Sequence, residues 1–396
     1  ASAVRGFPPL RRLARHREES MEIRGVWLTT TDSSVLNSRD NIVEAMEFLA
    51  ETGFNVVFPV VWNKAATQYP SQVMRETFGV ESSSLCVGRD PLAEVIEAAR
   101  GVGLKVIPWF EYGFASSYNL NGGMLLAKKP EWTARDIQGN LLKKNGFEWL
   151  NALLPNVQAF MSNLILEVVN NYDIDGIQGD DRLPAFPCEG GYDAATQQRY
   201  YSAFGKNPPS NPKDTQWLKW RADILTQFWA SLYHQIKAVN PNLIVSISPN
   251  IHDWAYKEYL QDTPTWLQQN IVDIINPQIY RRDINSYKTI IDTTTQQFKG
   301  ALQKMAPGIL TKLGSYIISP DLLIQKIEYN RSSGINGEVL FYYEGLRANN
   351  NQLAKTLKKH FYHKSATFPT ISDLNKPISN TNITWWQKLQ ALFKNS

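Results

Sequence analysis

The chain has 396 residues, 43% of them hydrophobic and 20% charged, enough to bury a large core and unlike a disordered segment. Its formal net charge is only +4 and its 41 Lys and Arg are scattered, so the concentrated basic stripe of a nucleic-acid binder is missing. No run of about 18 apolar residues exists to span a bilayer. Two cysteines, Cys86 and Cys188, set no disulfide framework; two free thiols are expected, although both fall in loops on one face and a single bridge is conceivable.

Residues 1–20 are Arg-rich, carry no strand or core pattern, and read as an irregular extension. Met21 directly precedes the first strand and reads as a natural start, which makes the preceding stretch a leader remnant or an added segment. From there one cycle repeats. Strands expected at 23–29, 55–63, 105–113, 176–181, 243–250, 274–280, 308–316 and 337–344 alternate with helical patterns at 39–52, 90–102, 157–171, 217–239, 265–272, 286–302, 321–332 and 350–361. Ser38, Asp90 before Pro91 and Ser319 before Pro320 are N-cap candidates.

Eight strand–helix cycles predict an α/β fold, a (β/α)8 TIM barrel, because parallel crossovers need a helix and wind one way. It forms a single domain over 21–364, with long βα loops after strands 2, 3 and 4. An open doubly wound sheet is the alternative, but Thr29-Thr-Thr-Asp-Ser-Ser34 stands where a glycine-rich phosphate turn would follow the first strand. Residues 365–396 form a polar, Pro-punctuated tail that closes on a short amphipathic helix from Ile383, expected to cap the barrel rather than to bind a partner or a membrane surface.

The stretch from Tyr172 to Arg182 is a short strand pattern that ends in two adjacent carboxylates, Asp180 and Asp181. A core strand has no packing use for such a pair, whose repulsion asks for a cation, a shared proton or a substrate. Alternation puts Gly176, Gln178 and Asp180 on one face and Ile177 on the other, so Asp180 points inward and Asp181 lies at the rim. The competing reading has one Asp cap the loop or pair with Arg182. Strand ends elsewhere are polar and aromatic: Trp62-Asn63, Trp109 with Glu111 and Tyr112, Asn250, Gln278 with Tyr280, and Tyr343 with Glu344. One such aromatic alone closes a core; five strands ending this way suit sugar rings, whose C–H faces pack on aromatics while their hydroxyls need polar partners. Glu111 and Glu344 are the further mouth carboxylates, each also a candidate ion-pair partner of Arg281 or Arg347.

Other chemistries have little to work with. There are five His, no Gly-x-Ser-x-Gly elbow, no Walker loop and no zinc-ligand spacing, and His360-x-x-His363 reads as a solvated helix face.

Six ordered motifs, Arg24-Gly-Val-Trp-Leu28, Tyr69-Pro-Ser71, Asp90-Pro-Leu92, the 103–110 strand ending in Pro-Trp-Phe, 172–178 with Asp180-Asp181, and Asn276-Pro-Gln-Ile-Tyr280, resemble the bacterial family-10-like glycosyl hydrolases over about 22–361. The resemblance implies a TIM barrel acting on envelope glycans or related polysaccharides, a divisome-located peptidoglycan glycan hydrolase being among the relatives, with the carboxylates after strand four in the active site.

The expected function is glycoside hydrolysis of a polysaccharide or a peptidoglycan glycan strand by two carboxyl groups. Asp180 is the ionised partner modulated by Asp181, and Glu111 or Glu344 the acid kept protonated by Trp109, Tyr112 and Tyr343. Trp62, Asn63, Tyr69, Trp109, Tyr112, Arg182, Asn250, Gln278, Tyr280 and Tyr343 are expected to bind substrate. The partner is a glycan; no cofactor or metal is required, and oligomeric state is left open. The alternative is a catalytically silent glycan-binding barrel. The substrate class favours a periplasmic or secreted protein, and Met21 as a natural start favours the cytoplasm.

Overall fold

The computed structural model describes residues 20–80 and 82–376. Short apolar runs form eight strands: β1 (Ile23–Leu28), β2 (Val56–Pro59), β3 (Lys105–Val106), β4 (Gly176–Gly179), β5 (Ile244–Ile247), β6 (Ile274–Ile275), β7 (Gly308–Leu310) and β8 (Gly337–Phe341). Nearly all their residues are buried on both faces, as parallel strands between a helix layer and a packed interior must be. One parallel sheet runs β7-β8-β1-β2-β3 and a second β4-β5-β6. Isolated parallel bridges join the two at both edges: Trp109 with Gln178 on one side, Ile275 with Met305 and Gln278 with Gly308 on the other.

The covering helices are α1 (Arg39–Thr52), α2 (Pro91–Gly101), α3 (Pro155–Asn171), α4 (Thr215–Val239), α5 (Thr263–Gln268), α6 (Ile284–Gln297), α7 (Pro320–Ser332) and α8 (Tyr343–His360). The three cap candidates do cap: Ser38, Asp90 and Ser319 side chains accept from the N–H groups of Asn41, Ala93 and Leu322. Each such cap stabilises its helix by about 1 kcal/mol.

The strands stop sooner than the apolar pattern suggests, because the chain leaves the ladder to build the mouth. After β2 a hairpin pairs Trp62–Asn63 with Ala66–Thr67. After β3 an arm of three antiparallel strands, Ala115–Tyr118, Phe147–Trp149 and Lys143–Lys144, rises over the C-terminal face. After β4 the segment to 214 carries the helix Ala194–Phe204. Glu344 was expected at the end of a strand, but it sits in the first turn of α8. That helix breaks where Asn349, Asn350 and Asn351 take φ of 50°, 56° and 61°, a left-handed region Asn tolerates, and then continues as the 350–361 segment read from sequence.

Order continues past 364: Ser20–Met21 pairs in parallel with Ala366–Thr367, and Thr370 caps the turn Ile371–Leu374. The expectations for 1–19 and for the helix from Ile383 lie outside the described residues. Cys86 and Cys188 are both buried free thiols. No helix among the described residues is long and apolar enough to cross a membrane.

Candidate active site

The barrel interior below the mouth is a closed polar network. The Trp27 indole donates to Gln178 Oε1 at 2.6 Å, and Gln178 Nε2 donates to Ser246 Oγ at 3.0 Å and Asn276 Oδ1 at 2.9 Å. Asn276 in turn donates to the Ala306 carbonyl at 2.7 Å. These bonds fix the strand ends on which the next layer stands.

Two residues along β4 the pattern repeats with charge. Asp180 Oδ1 accepts from Ser248 Oγ and from Gln278 Nε2, each at 3.0 Å, and Oδ2 accepts from Arg182 Nη2 at 2.9 Å. Gln261 holds the Asp180 carbonyl through Nε2 at 3.0 Å. Asp181 turns outward, accepting from Asn250 Nδ2 at 3.1 Å and facing Arg182 Nη1 at 3.0 Å. Exposure separates the pair: the Asp180 side chain is 1% exposed and that of Asp181 20%.

Arg182 joins this pair to the β3 loop. Its Nε donates to the Glu111 carbonyl at 3.0 Å, and Nη2 lies 3.7 Å from Glu111 Oε1. The guanidinium packs over the Phe147 ring of the arm, 4.6 Å from its centre, with the Tyr112 ring 5.8 Å away. Gly113 permits this approach, since its φ is +49° and a Cβ there would lie 2.1 Å from the Arg182 carbonyl oxygen. Three carboxyl groups therefore surround one cation.

Burial first, with the Asp181 charge adding to it and Arg182 opposing, pushes the Glu111 carboxyl up to about 7. Burial and the adjacent Asp181 also push Asp180 well above the usual carboxylate range, while Arg182 pulls it down. The cluster as a unit thus keeps a proton near neutral pH. Ser248, Gln278 and Arg182 donate to Asp180 while the neighbouring Asp181 carboxyl disfavours its charge, and Glu111 Oε2 and Asp181 Oδ1 are buried without a hydrogen-bond partner.

Glu111 stands in the wall of a cleft of about 750 Å³. The hairpin, the arm, the end of β8 and the short helices Gln72–Phe78 and Gly123–Lys128 line it with Asn63, Lys64, Met74, Tyr112, Ser116, Met124, Phe147 and Phe341, among others. Its volume is that of a small-ligand site. Asp180 and Asp181 lie beyond this lining, toward Asn250. Tyr280 is half-buried, its ring 5.4 Å from that of Phe341, and the Trp27, Trp109 and Phe341 rings pack on one another beside it.

The structure gathers Glu111, Tyr112, Asp180, Asp181, Arg182, Asn250, Gln278 and Tyr280 at the mouth, with Trp109 beneath and Asn63 in the cleft wall. It sends others elsewhere. Trp62 is buried in the hairpin, its indole donating to the Gly113 carbonyl at 2.9 Å and its ring set edge-on to Phe160 of α3. Tyr69 is buried against α3, donating to the Leu164 carbonyl. Tyr343 is buried edge-on to Phe48 between α1 and α8, and Glu344 accepts from Ser33 Oγ at 2.8 Å. For Trp62, Tyr343 and Glu344 the ladder ends earlier than the sequence suggests, whereas Tyr69, which follows strand two, is drawn against α3. Sequence reading missed Ser248, which shares a face of β5 with Ser246, and Gln261 and Phe147, which come from insertions whose path no periodicity encodes. Among the described residues the group of metal-ligand type, Cys188, Glu189 and Glu258, closes around the Lys144 ammonium at 2.7–2.9 Å from the carboxylate oxygens, so a lysine already supplies the cation.

Residues 22–329 match the family model described as glycosyl hydrolase-like 10. The chain belongs to the glycosyl hydrolase-like 10 family. This member of the family is 26% identical to glycosyl hydrolase DigH of Escherichia coli over 313 residues, 67% of each chain. It is 24% identical to glycosyl hydrolase YngK of Bacillus subtilis over 394 residues, 89% of this chain and 74% of that one. Among solved structures it resembles the glycoside hydrolase domain of PgaB (BpsB) from Bordetella bronchiseptica, with a TM-score of 0.64 at 13% identity over 85% of this chain and 98% of that domain. It also resembles the catalytic domain of a β-amylase from Paenibacillus polymyxa, with a TM-score of 0.62 at 11% identity over 88% and 100%. These likenesses show the fold of this glycosyl hydrolase-like 10 chain, a mixed α/β, TIM-barrel-like domain.

Proposed function

We propose that the chain hydrolyses glycosidic bonds of a polysaccharide or a peptidoglycan glycan strand at the C-terminal mouth of a closed eight-stranded barrel, a reading that the edge bridges support. The observation that carries this reading is Arg182 among three carboxyl groups, one of which, Glu111, is held near neutrality in the wall of the cleft. Glu111 in its neutral form protonates the departing glycosidic oxygen. Asp181, the less buried aspartate, is the carboxylate that attacks the anomeric carbon or takes a proton from water. Asp180 is a positioning residue: with its side chain 1% exposed and both oxygens occupied, it holds Arg182, and through Arg182 it fixes Asp181 and Glu111 relative to each other. Tyr280 and Tyr112 supply ring faces for sugar, and Asn250 steadies Asp181. A glycan substrate of this class favours a periplasmic or secreted protein.

The test is release of new reducing ends from purified glycans. Glu111→Gln and Asp181→Asn should each lower turnover at least about a hundredfold, the lower end of what a positioned acid or base contributes. Variants that keep the parent's rate overturn the assignment. A parent that binds glycan without cutting it makes this a silent binding barrel.

A further inference from the structure

Outside the lining of the cleft, the chain leaves β5 through Asn250, which holds Asp181, and four residues later reaches Trp254. This tryptophan is 48% exposed, whereas Trp27, Trp62, Trp149, Trp217, Trp229 and Trp266 are fully buried. An isolated exposed aromatic needs no explanation, but this one is held in place. Its ring packs on Tyr259, centroid to centroid 5.5 Å. Tyr259 is itself wedged by the arm: Asn145 Nδ2 donates to its hydroxyl at 2.7 Å, the Lys144 ammonium lies 4.9 Å from its ring centre and Trp149 packs at 5.9 Å. Tyr259 is close enough to feel the Asp181 charge, which adds to burial in raising its hydroxyl to about 12. Beside Trp254, the His252 side chain is mostly buried and its Nδ1 has no partner. Asp253, between them, has φ +68° and ψ −57°, a strained conformation for a residue with a side chain, of the kind held at ligand sites.

We infer that Trp254 is a sugar-stacking platform on the Asp181 side of the carboxylate cluster, outside the 750 Å³ cleft that opens on Glu111, so that a glycan chain lies across the cluster and is cut within its length. The inference rests on the reading of the cluster as a glycosidase site. A sugar ring on Trp254 presents its C–H face to the indole, with Tyr259 holding that indole from behind. Aromatic side chains fixed by their neighbours lose little freedom when ligand arrives, which is why one of them can dominate binding at a surface.

The experiment measures kcat/KM and product lengths on an oligosaccharide series of the glycan that the parent cleaves. The parent should gain efficiency with chain length. Trp254→Ala should lose at least tenfold on long chains, change by less than twofold on the shortest chain cleaved, and shift its products toward cuts near one end; Trp254→Phe should recover most of the loss. Equal efficiency of Trp254→Ala and the parent at every length overturns the inference, as does a uniform loss at all lengths, which would mark Trp254 as a support for Tyr259. A parent inactive on every glycan removes the underlying reading instead, and calorimetry with the longest oligosaccharide then decides: affinity unchanged in Trp254→Ala overturns the platform as well.

Discussion

Arg182 holds Glu111 twice, its Nε donating to the main-chain carbonyl at 3.0 Å while its Nη2 stands 3.7 Å from the carboxylate. The backbone contact fixes where Glu111 sits. The longer charge contact leaves its carboxyl only partly compensated, and burial outweighs it, so the acid stays poised near neutral pH.

Arg182→Gln should therefore be costly in a particular way. Removing one partner of a buried ion pair costs about 3–5 kcal/mol, because the other charge stays behind without compensation. Without the cation the Glu111 carboxyl should also rise above 7. Urea denaturation measures the first effect and the alkaline limb of the pH–rate profile the second. An unchanged midpoint would mean that the cluster is not coupled through Arg182.

Glu111 also sets a pH dependence of stability. Its carboxyl titrates near 7 in the fold against 4.5 for an unperturbed one, so between those values the folded chain keeps a proton that the unfolded chain has released. Stability contributed by this group is complete below about pH 4.5 and is lost as pH rises through about 7. Glu111→Gln should flatten that decline and leave the variant at least as stable as the parent at about pH 8. Denaturation curves at several pH values check this; a variant that declines in parallel with the parent would place the titration elsewhere.

Gly113→Ala tests the close approach of the two loops. The added methyl would meet the Arg182 carbonyl at 2.1 Å in a backbone region that disfavours side chains. Overpacking of this kind costs about 1–3 kcal/mol, and here it pushes Arg182 from the carboxylates. Both thermal stability and turnover should fall; a variant with parental turnover would show that the Arg182 position is not critical.

Trp62 and Tyr280 should separate cleanly. Trp62→Ala removes a buried ring and an indole bond to Gly113, a loss of about 3–5 kcal/mol for a large core aromatic. Tyr280→Ala removes the half-buried ring beside Phe341 and should weaken glycan binding while costing less stability than Trp62→Ala. Calorimetry on both variants decides, and a Trp62→Ala protein that is stable yet binds glycan weakly would return Trp62 to the mouth.

Much of this architecture was legible in the chain, since β-branched runs, caps at Ser38, Asp90 and Ser319, and helical spacing are local signals with local causes. The Asp180-Asp181-Arg182 run announced itself because an apolar strand has no other use for it. The aromatic strand ends were harder. Trp62 and Tyr343 carry the same local pattern as Tyr112 and Tyr280, and only the point at which each strand leaves its ladder decides whether the ring faces sugar or core. Phe147 and Trp254 come from insertions whose docking is set by long-range contacts, so no window of sequence places them.

The most direct measurement is the dependence of kcat/KM on pH for glycan cleavage by the parent and by Glu111→Gln. The parent should lose activity above about pH 7, as the neutral acid is consumed. Glu111→Gln should lack that limb and recover rate on substrates whose leaving group needs no proton. A parental profile flat from about pH 5 to 9, or an alkaline limb that survives in Glu111→Gln, would contradict the assignment of Glu111 as the acid.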